Sequence, residues 1–215
     1  MRIIPPLATH GGRLLASWFP DLLWRVPPGG DKVAYLTFDD GPTPSLTEPL
    51  LDRLAQYDAS ATFFLIGGHA EAHPHLVRAI ARAGHTVGNH TFTHPYPWRT
   101  PAATLQAQLD RTSKLLQDQT GHPVRYVRPP YGQINGPLRQ WCEARAHRAV
   151  MWDVMPGDFL PNVDQAYIER FVRRHLRPGS IVVLHDNPIV DDATPAALDT
   201  LLRTLTADGW RFEAL

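Results

Sequence analysis

Two adjacent carboxylates, Asp39 and Asp40, end an apolar run, and two imidazoles, His90 and His94, stand four residues apart further along the chain. Two histidines and one carboxylate make a common facial set for zinc and other divalent transition metals, with positions left open for water and substrate. Either aspartate can supply the carboxylate. On a helical turn, the His-x-x-x-His spacing puts both rings on one side. Neighbouring strand residues point to opposite faces, so both aspartates serve one site only if the chain turns there. Gly41-Pro42 supplies such a turn. Paired carboxylates also invite a division of labour. One binds metal, which lowers the pKa of bound water, and the other takes the proton. Arg128 is suited to holding the free carboxylate ionised through a paired hydrogen bond, or to a structural ion pair with it.

The elements that must position these groups alternate strand and helix. Strands are expected at Val33–Asp39, Ala61–Ile66, His85–His90, Tyr126–Arg128, Ala149–Val154, Ser180–His185 and Trp210–Ala214. Helices are expected near residues 45–57, 75–83, 102–119, 137–145, 164–176 and 196–207, the first opened by a capping box at Ser45-Leu46-Thr47-Glu48. Such alternation with short links means a parallel sheet covered by helices. Seven or so strands suggest a closed or nearly closed barrel, with an open doubly wound sheet as the alternative. Polar residues fall at one strand end after another: Asp39-Asp40, Asn89-His90, Arg128, Asp153 with Asp158, and His185-Asp186. In parallel barrels these ends form one face, where active sites are built.

Composition bounds the rest. The chain of 215 residues suits one domain, with residues 1–31 read as a short helix and Pro-rich arm and residues 32–215 as the domain proper. Lys plus Arg equals Asp plus Glu, 21 each, so no basic surplus points to nucleic acid or an anionic membrane. One cysteine, Cys142, excludes an intrachain disulfide and reads as a buried structural thiol. The apolar stretch Leu14–Phe19 is too short for an export signal or a membrane span, so the chain as written reads as soluble and unexported. His69, His73, His75 and His85, taken singly, read as structural as readily as functional. Oligomeric state is not legible.

The residues then match a family. Thr37-Phe38-Asp39-Asp40-Gly41-Pro42, His90-Thr91-Phe92-Thr93-His94, Arg128-Pro129-Pro130-Tyr131-Gly132 and Ile181-Val182-Val183-Leu184-His185-Asp186 resemble four signature blocks of the polysaccharide deacetylases, the NodB-homology enzymes of carbohydrate esterase family four. The resemblance covers Lys32 to Leu215. It implies a distorted (β/α)7 barrel and removal of N-acetyl groups from amino sugars of a polysaccharide, oligosaccharide or peptidoglycan. It implies Asp39 as base, Asp40, His90 and His94 as metal ligands, and Arg128 as the group that orients Asp39. It implies the Tyr131 N–H as oxyanion donor, His185 as general acid, Asp158 as its orienting carboxylate, and Leu184 in the acetyl pocket. Pro129, Tyr131, Phe159 and Trp98 are expected along the substrate path, although Trp98, Tyr96 and Phe159 suit core packing as well as sugar stacking. Zinc is the expected ion, with cobalt, nickel, manganese or iron also fitting. Met155-Pro156-Gly157-Asp158-Phe159 departs from the family pattern Asp-x-x-Asp-Trp at its first and last residues, which touches the substrate wall more than the chemistry. Same-fold rivals are a deformylase of a lipid-linked amino sugar, a cyclic-amide hydrolase and a silent carbohydrate-binding module.

Overall fold

The computed structural model describes residues 14–190 and 193–215, together with Thr9 and Gly11. Its strands are β1 (Val33–Asp39), β2 (Ala61–Leu65), β3 (Thr86–Asn89), β4 (Tyr126–Val127), β5 (Arg148–Ala149), β6 (Ile181–His185) and β7 (Arg211–Phe212). Its helices are α1 (Thr47–Gln56), α2 (Gly67–Ala72), α3 (Pro74–Arg82), α4 (Ala102–Thr120), α5 (Gly136–Ala144), α6 (Gln165–His175) and α7 (Ala193–Ala207). The strands pair in the order β5-β4-β3-β2-β1-β6, with β7 beside the start of β1, and every pairing is parallel. The curled sheet with its outer helices is the distorted (β/α)7 barrel that the sequence implied.

Alternation along β1 divides its side chains. Ala34, Leu36 and Phe38 enter the large apolar cluster with α1, α3, α6 and α7. Thr37 and Asp39 take the other face and meet Arg128 in the barrel interior. On β6, Val182 and Leu184 join the same outer cluster, while Val183 and His185 face the cavity at the strand ends. β2 is buried throughout, as a central parallel strand covered on both faces must be.

The barrel closes through single bridges. β5 is only two residues long, shorter than expected, and the chain after it meets β6 at Val154–Val182. Leu23 bridges to Val150 and Arg25 to Ser180, so the arm fills the remaining gap. Leu22 and Trp24 pack with Leu105, Leu138 and Trp141. The exposed loop at Pro27–Asp31 therefore follows a segment already built into the barrel wall. Cys142 is buried and free, its thiol pushed up to about 12 by burial.

Two further local features differ from expectation. Ser45 is exposed and caps nothing. The Thr47 hydroxyl instead accepts the Thr43 N–H and donates to Asp186. The second is α2, where no helix was expected and which opens on Gly67-Gly68. Their N–H groups bind the carbonyls of Thr91 and Phe92 at 2.8 and 2.9 Å, fixing the loop that carries both histidines. A Cβ on Gly67 would meet the Phe92 ring and the Thr112 hydroxyl, each at 2.5 Å. Gly67→Ala is expected to cost about 1–3 kcal/mol through this overpacking. In a thermal melt that corresponds to a fall of roughly 2–12 °C. An unchanged melting temperature would show that the His loop has slack.

Candidate active site

Arg128 is fully buried, and each of its guanidinium nitrogens has a partner. Nη1 donates to Asp39 Oδ1 at 2.6 Å and to the Thr37 hydroxyl at 2.8 Å. Nη2 donates to the Met151 carbonyl at 3.0 Å and Nε to that of Val150 at 3.3 Å. The Phe64 ring lies under the guanidinium at 4.2 Å. Burial pulls the Arg128 pKa down, and the Asp39 charge and hydrogen bond oppose that pull. Asp39 Oδ2 faces His90 Nε2 at 4.0 Å.

Asp40 takes a left-handed backbone, φ 77, and so turns away from the direction that strand alternation would give it. Its Oδ1 lies 3.4 Å from Nε2 of both His90 and His94. His90 Nδ1 donates to the Arg128 carbonyl at 2.8 Å, and its Nε2 is the nitrogen that faces Asp40. The two rings do not meet on a helical turn as the spacing suggested. They meet through a loop in which Thr91 and His94 take positive φ, 66 and 54. Burial, followed by the neighbouring His90, pushes His94 down to about 4. Burial would raise the Asp40 carboxyl, but His90, His185 and His94 outweigh it and hold it well below the usual carboxylate range. One carboxylate oxygen and two imidazole nitrogens thus lie within 4.8 Å of one another. This donor set fits a divalent metal ion.

Across the cavity, His185 Nδ1 donates to Asp158 Oδ1 at 2.8 Å. Asp158 Oδ2 accepts the His185 backbone N–H at 2.8 Å and the Thr194 hydroxyl at 2.9 Å. Burial works to lower the His185 pKa, yet Asp158, with Asp40 and Asp39 further off, raises it to about 9. Phe159 sets its ring against that imidazole, centroids 4.7 Å apart.

A cavity of about 220 Å³ joins these groups. Asp39, Asp40, His90, His94, His185, Pro129, Tyr131 and Phe159 line it, as expected. Leu184 does not. It points from β6 into the outer core, and Val183, one residue earlier and on the face of His185, takes that wall. Trp98 stands outside the cavity, exposed, with its indole N–H on the Ile134 carbonyl. Asp153 is tied to Arg177, Ser180 and the Ile181 N–H, away from the cavity. The Asp186 carboxylate turns to Thr47. Strand alternation could have found Val183. Asn187 follows a strand end and was open to the same argument. Nothing in the sequence marked Thr194, Trp152 or Ile189.

The profile of the polysaccharide deacetylase family matches residues 27–150. A peptidoglycan-N-acetylglucosamine deacetylase of Bacillus cereus is 35% identical over 192 residues, covering 88% of this chain and 88% of its own. The chain belongs to the polysaccharide deacetylase family. A chitooligosaccharide deacetylase of Sinorhizobium fredii is 35% identical to this deacetylase over 209 residues, covering 91% of this chain and 96% of the relative. The crystal structure of a peptidoglycan N-acetylglucosamine deacetylase, solved with a naphthalenyl N-oxidanyl-benzamide, superposes with a TM-score of 0.88. It is 32% identical and aligns over 93% of this chain and 94% of that one. The deacetylase is a metal-dependent hydrolase of the carbon–nitrogen bond in N-acetyl amino sugars.

Asp158 raises the His185 pKa, so the protonated ring persists to higher pH than a free imidazole. Asp158→Asn removes the charge that sustains it. The alkaline limb of the kcat/KM–pH profile is expected to move down by roughly 1–3 pH units. An unmoved limb would show that His185 does not set it.

Proposed function

We propose that this deacetylase removes the acetyl group from N-acetylglucosamine units of a peptidoglycan- or chitin-type glycan, using Asp39 as base and His185 as acid. The observation that carries this reading is the convergence on one cavity of an Arg128-bound carboxylate, a three-residue metal set and an Asp158-bound imidazole. The substrate follows the relatives named for peptidoglycan N-acetylglucosamine and for chitooligosaccharide. Tyr131 lines the cavity and its ring stacks on that of Tyr96, both exposed, a pair of aromatic faces suited to packing against a sugar ring.

Held by Asp40, His90 and His94, a divalent ion would supply Lewis-acid polarisation of the amide carbonyl and acidify water; zinc suits this N/O set, which needs no redox. Asp39 accepts the proton of the attacking water as the new carbon–oxygen bond forms. Arg128 holds and aims the Asp39 carboxylate through a 2.6 Å hydrogen bond. The Tyr131 N–H, on a turn where Tyr131 takes φ 57, donates to the developing oxyanion. His185 gives its proton to the nitrogen as the carbon–nitrogen bond breaks, and acetate and the free amine result. Pocket walls of Val183, Trp152, Met155 and Phe159 favour the methyl group over water.

Asp39→Asn keeps an oxygen for Arg128 but cannot take the proton. Its kcat is expected to fall by roughly 10²–10⁴-fold while bound metal, measured by elemental analysis, stays at the wild-type level. Near-normal turnover would remove Asp39 as the base. Wild-type rates compared on acetylated chitooligosaccharides, peptidoglycan fragments and a formamido sugar assign the substrate. Faster release of formate than of acetate would contradict the acetyl reading.

A further inference from the structure

Asp40 is held by two contacts from residues beyond the signature blocks. Its backbone carbonyl accepts Nδ1–H of His69, on α2, at 2.8 Å. Its Oδ2 accepts the side-chain N–H of Asn187 at 2.8 Å. The orientation of that amide follows from its other end. Asn187 Oδ1 lies 3.0 Å from the Ile189 backbone N–H, which can only donate, so the amide NH₂ must be the end that faces Asp40. Asn187 is itself largely buried and lines the cavity two residues after His185.

The two oxygens of Asp40 therefore have different neighbours. Oδ2 is engaged by an amide, and Oδ1 alone faces both imidazoles. We propose that Asn187 is a positioning residue of the metal site: by holding Oδ2 it commits Asp40 to one-oxygen ligation through Oδ1. This rests on the reading that Asp40, His90 and His94 hold the ion. The consequence is chemical. A carboxylate that binds through one oxygen occupies one coordination position, and the position so spared remains for water or the substrate carbonyl. Because Asn187 follows the end of β6 at His185 by two residues, the same contact also keeps the acid's strand end in register with the metal ligand. Partners of this kind, bonded to a ligand and not to the ion, typically change metal affinity or activity by about 10–100-fold.

The test uses the full chain stripped of metal, titrated with Zn²⁺ against a chromophoric chelator, as wild type, Asn187→Leu and Asn187→Ala. Leu keeps the approximate shape without the donor, and Ala removes both. Each variant is expected to bind Zn²⁺ more weakly by roughly 10–100-fold, with the metal-free melting temperature unchanged. Cobalt-loaded protein gives a second readout. Freeing Oδ2 raises the coordination number, so the visible Co²⁺ bands of the variants should weaken relative to wild type. Wild-type Zn²⁺ affinity and an unchanged cobalt spectrum in both variants would overturn the assignment. So would an affinity loss matched by a lower metal-free melting temperature, which marks a structural role only. Failure of the wild type to bind one Zn²⁺ would instead overturn the metal reading beneath it.

Discussion

The fully buried Arg128 guanidinium sets the terms for the rest of the site. A cation taken out of water is costly unless it is paired and its remaining protons are satisfied. Here the partners come from Asp39 and Thr37 on β1 and from the carbonyls of Val150 and Met151 after β5. The ion pair thus ties opposite walls of a barrel whose own strand ladder is incomplete between β5 and β6. Removing one member of such a pair typically costs about 3–5 kcal/mol, because the other is left buried and unpaired. The pair also fixes which carboxylate is which. Asp39 is committed to Arg128 through Oδ1 and cannot swing fully toward the histidines.

Asp40 acquires its separate role from backbone geometry. Strict alternation would send it to the outer face of β1, where Phe38 lies in an apolar cluster. Its left-handed conformation turns it back toward the cavity mouth, and the His69 contact on its carbonyl stabilises a backbone that is unfavourable for a non-glycine residue. The histidine loop solves a similar problem with positive φ at Thr91 and His94, held from behind by the N–H groups of Gly67 and Gly68. Two chemically identical side chains in adjacent positions are set apart by their neighbours: a guanidinium for one, two imidazoles and an amide for the other.

The sequence made the strand–helix order legible because each parallel strand is a short apolar run between amphipathic segments. β1 falls at Val33–Asp39 as read. Polar residues at strand ends then located Asp39, His90 and His185 at one cavity, with Arg128 buried behind Asp39. Departures came where local pattern does not encode tertiary contact. No helix was expected at Gly67-Gly68, yet one opens there and approaches Phe92 more closely than a Cβ on Gly67 permits. Ser45-Leu46-Thr47-Glu48 has the letters of a capping box, yet the Thr47 hydroxyl is claimed by Thr43 and Asp186. Leu184 was assigned to the pocket by motif position, whereas the two-residue period anchored on His185 selects Val183. Thr194, which secures Asp158, lies on α7 and gives no signal without the fold.

In the proposed mechanism adjacent aspartates divide the work, Asp40 binding the ion and Asp39 remaining free under Arg128. A crystal structure of the zinc-loaded protein, with anomalous scattering to place the metal, distinguishes the two carboxylates. One ion is expected, bonded to Asp40, His90 and His94 at about 2.0–2.2 Å. Asp39 should stay on Arg128, with neither of its oxygens at bonding distance. An ion bonded to Asp39, or one that leaves His94 unbound, would contradict it.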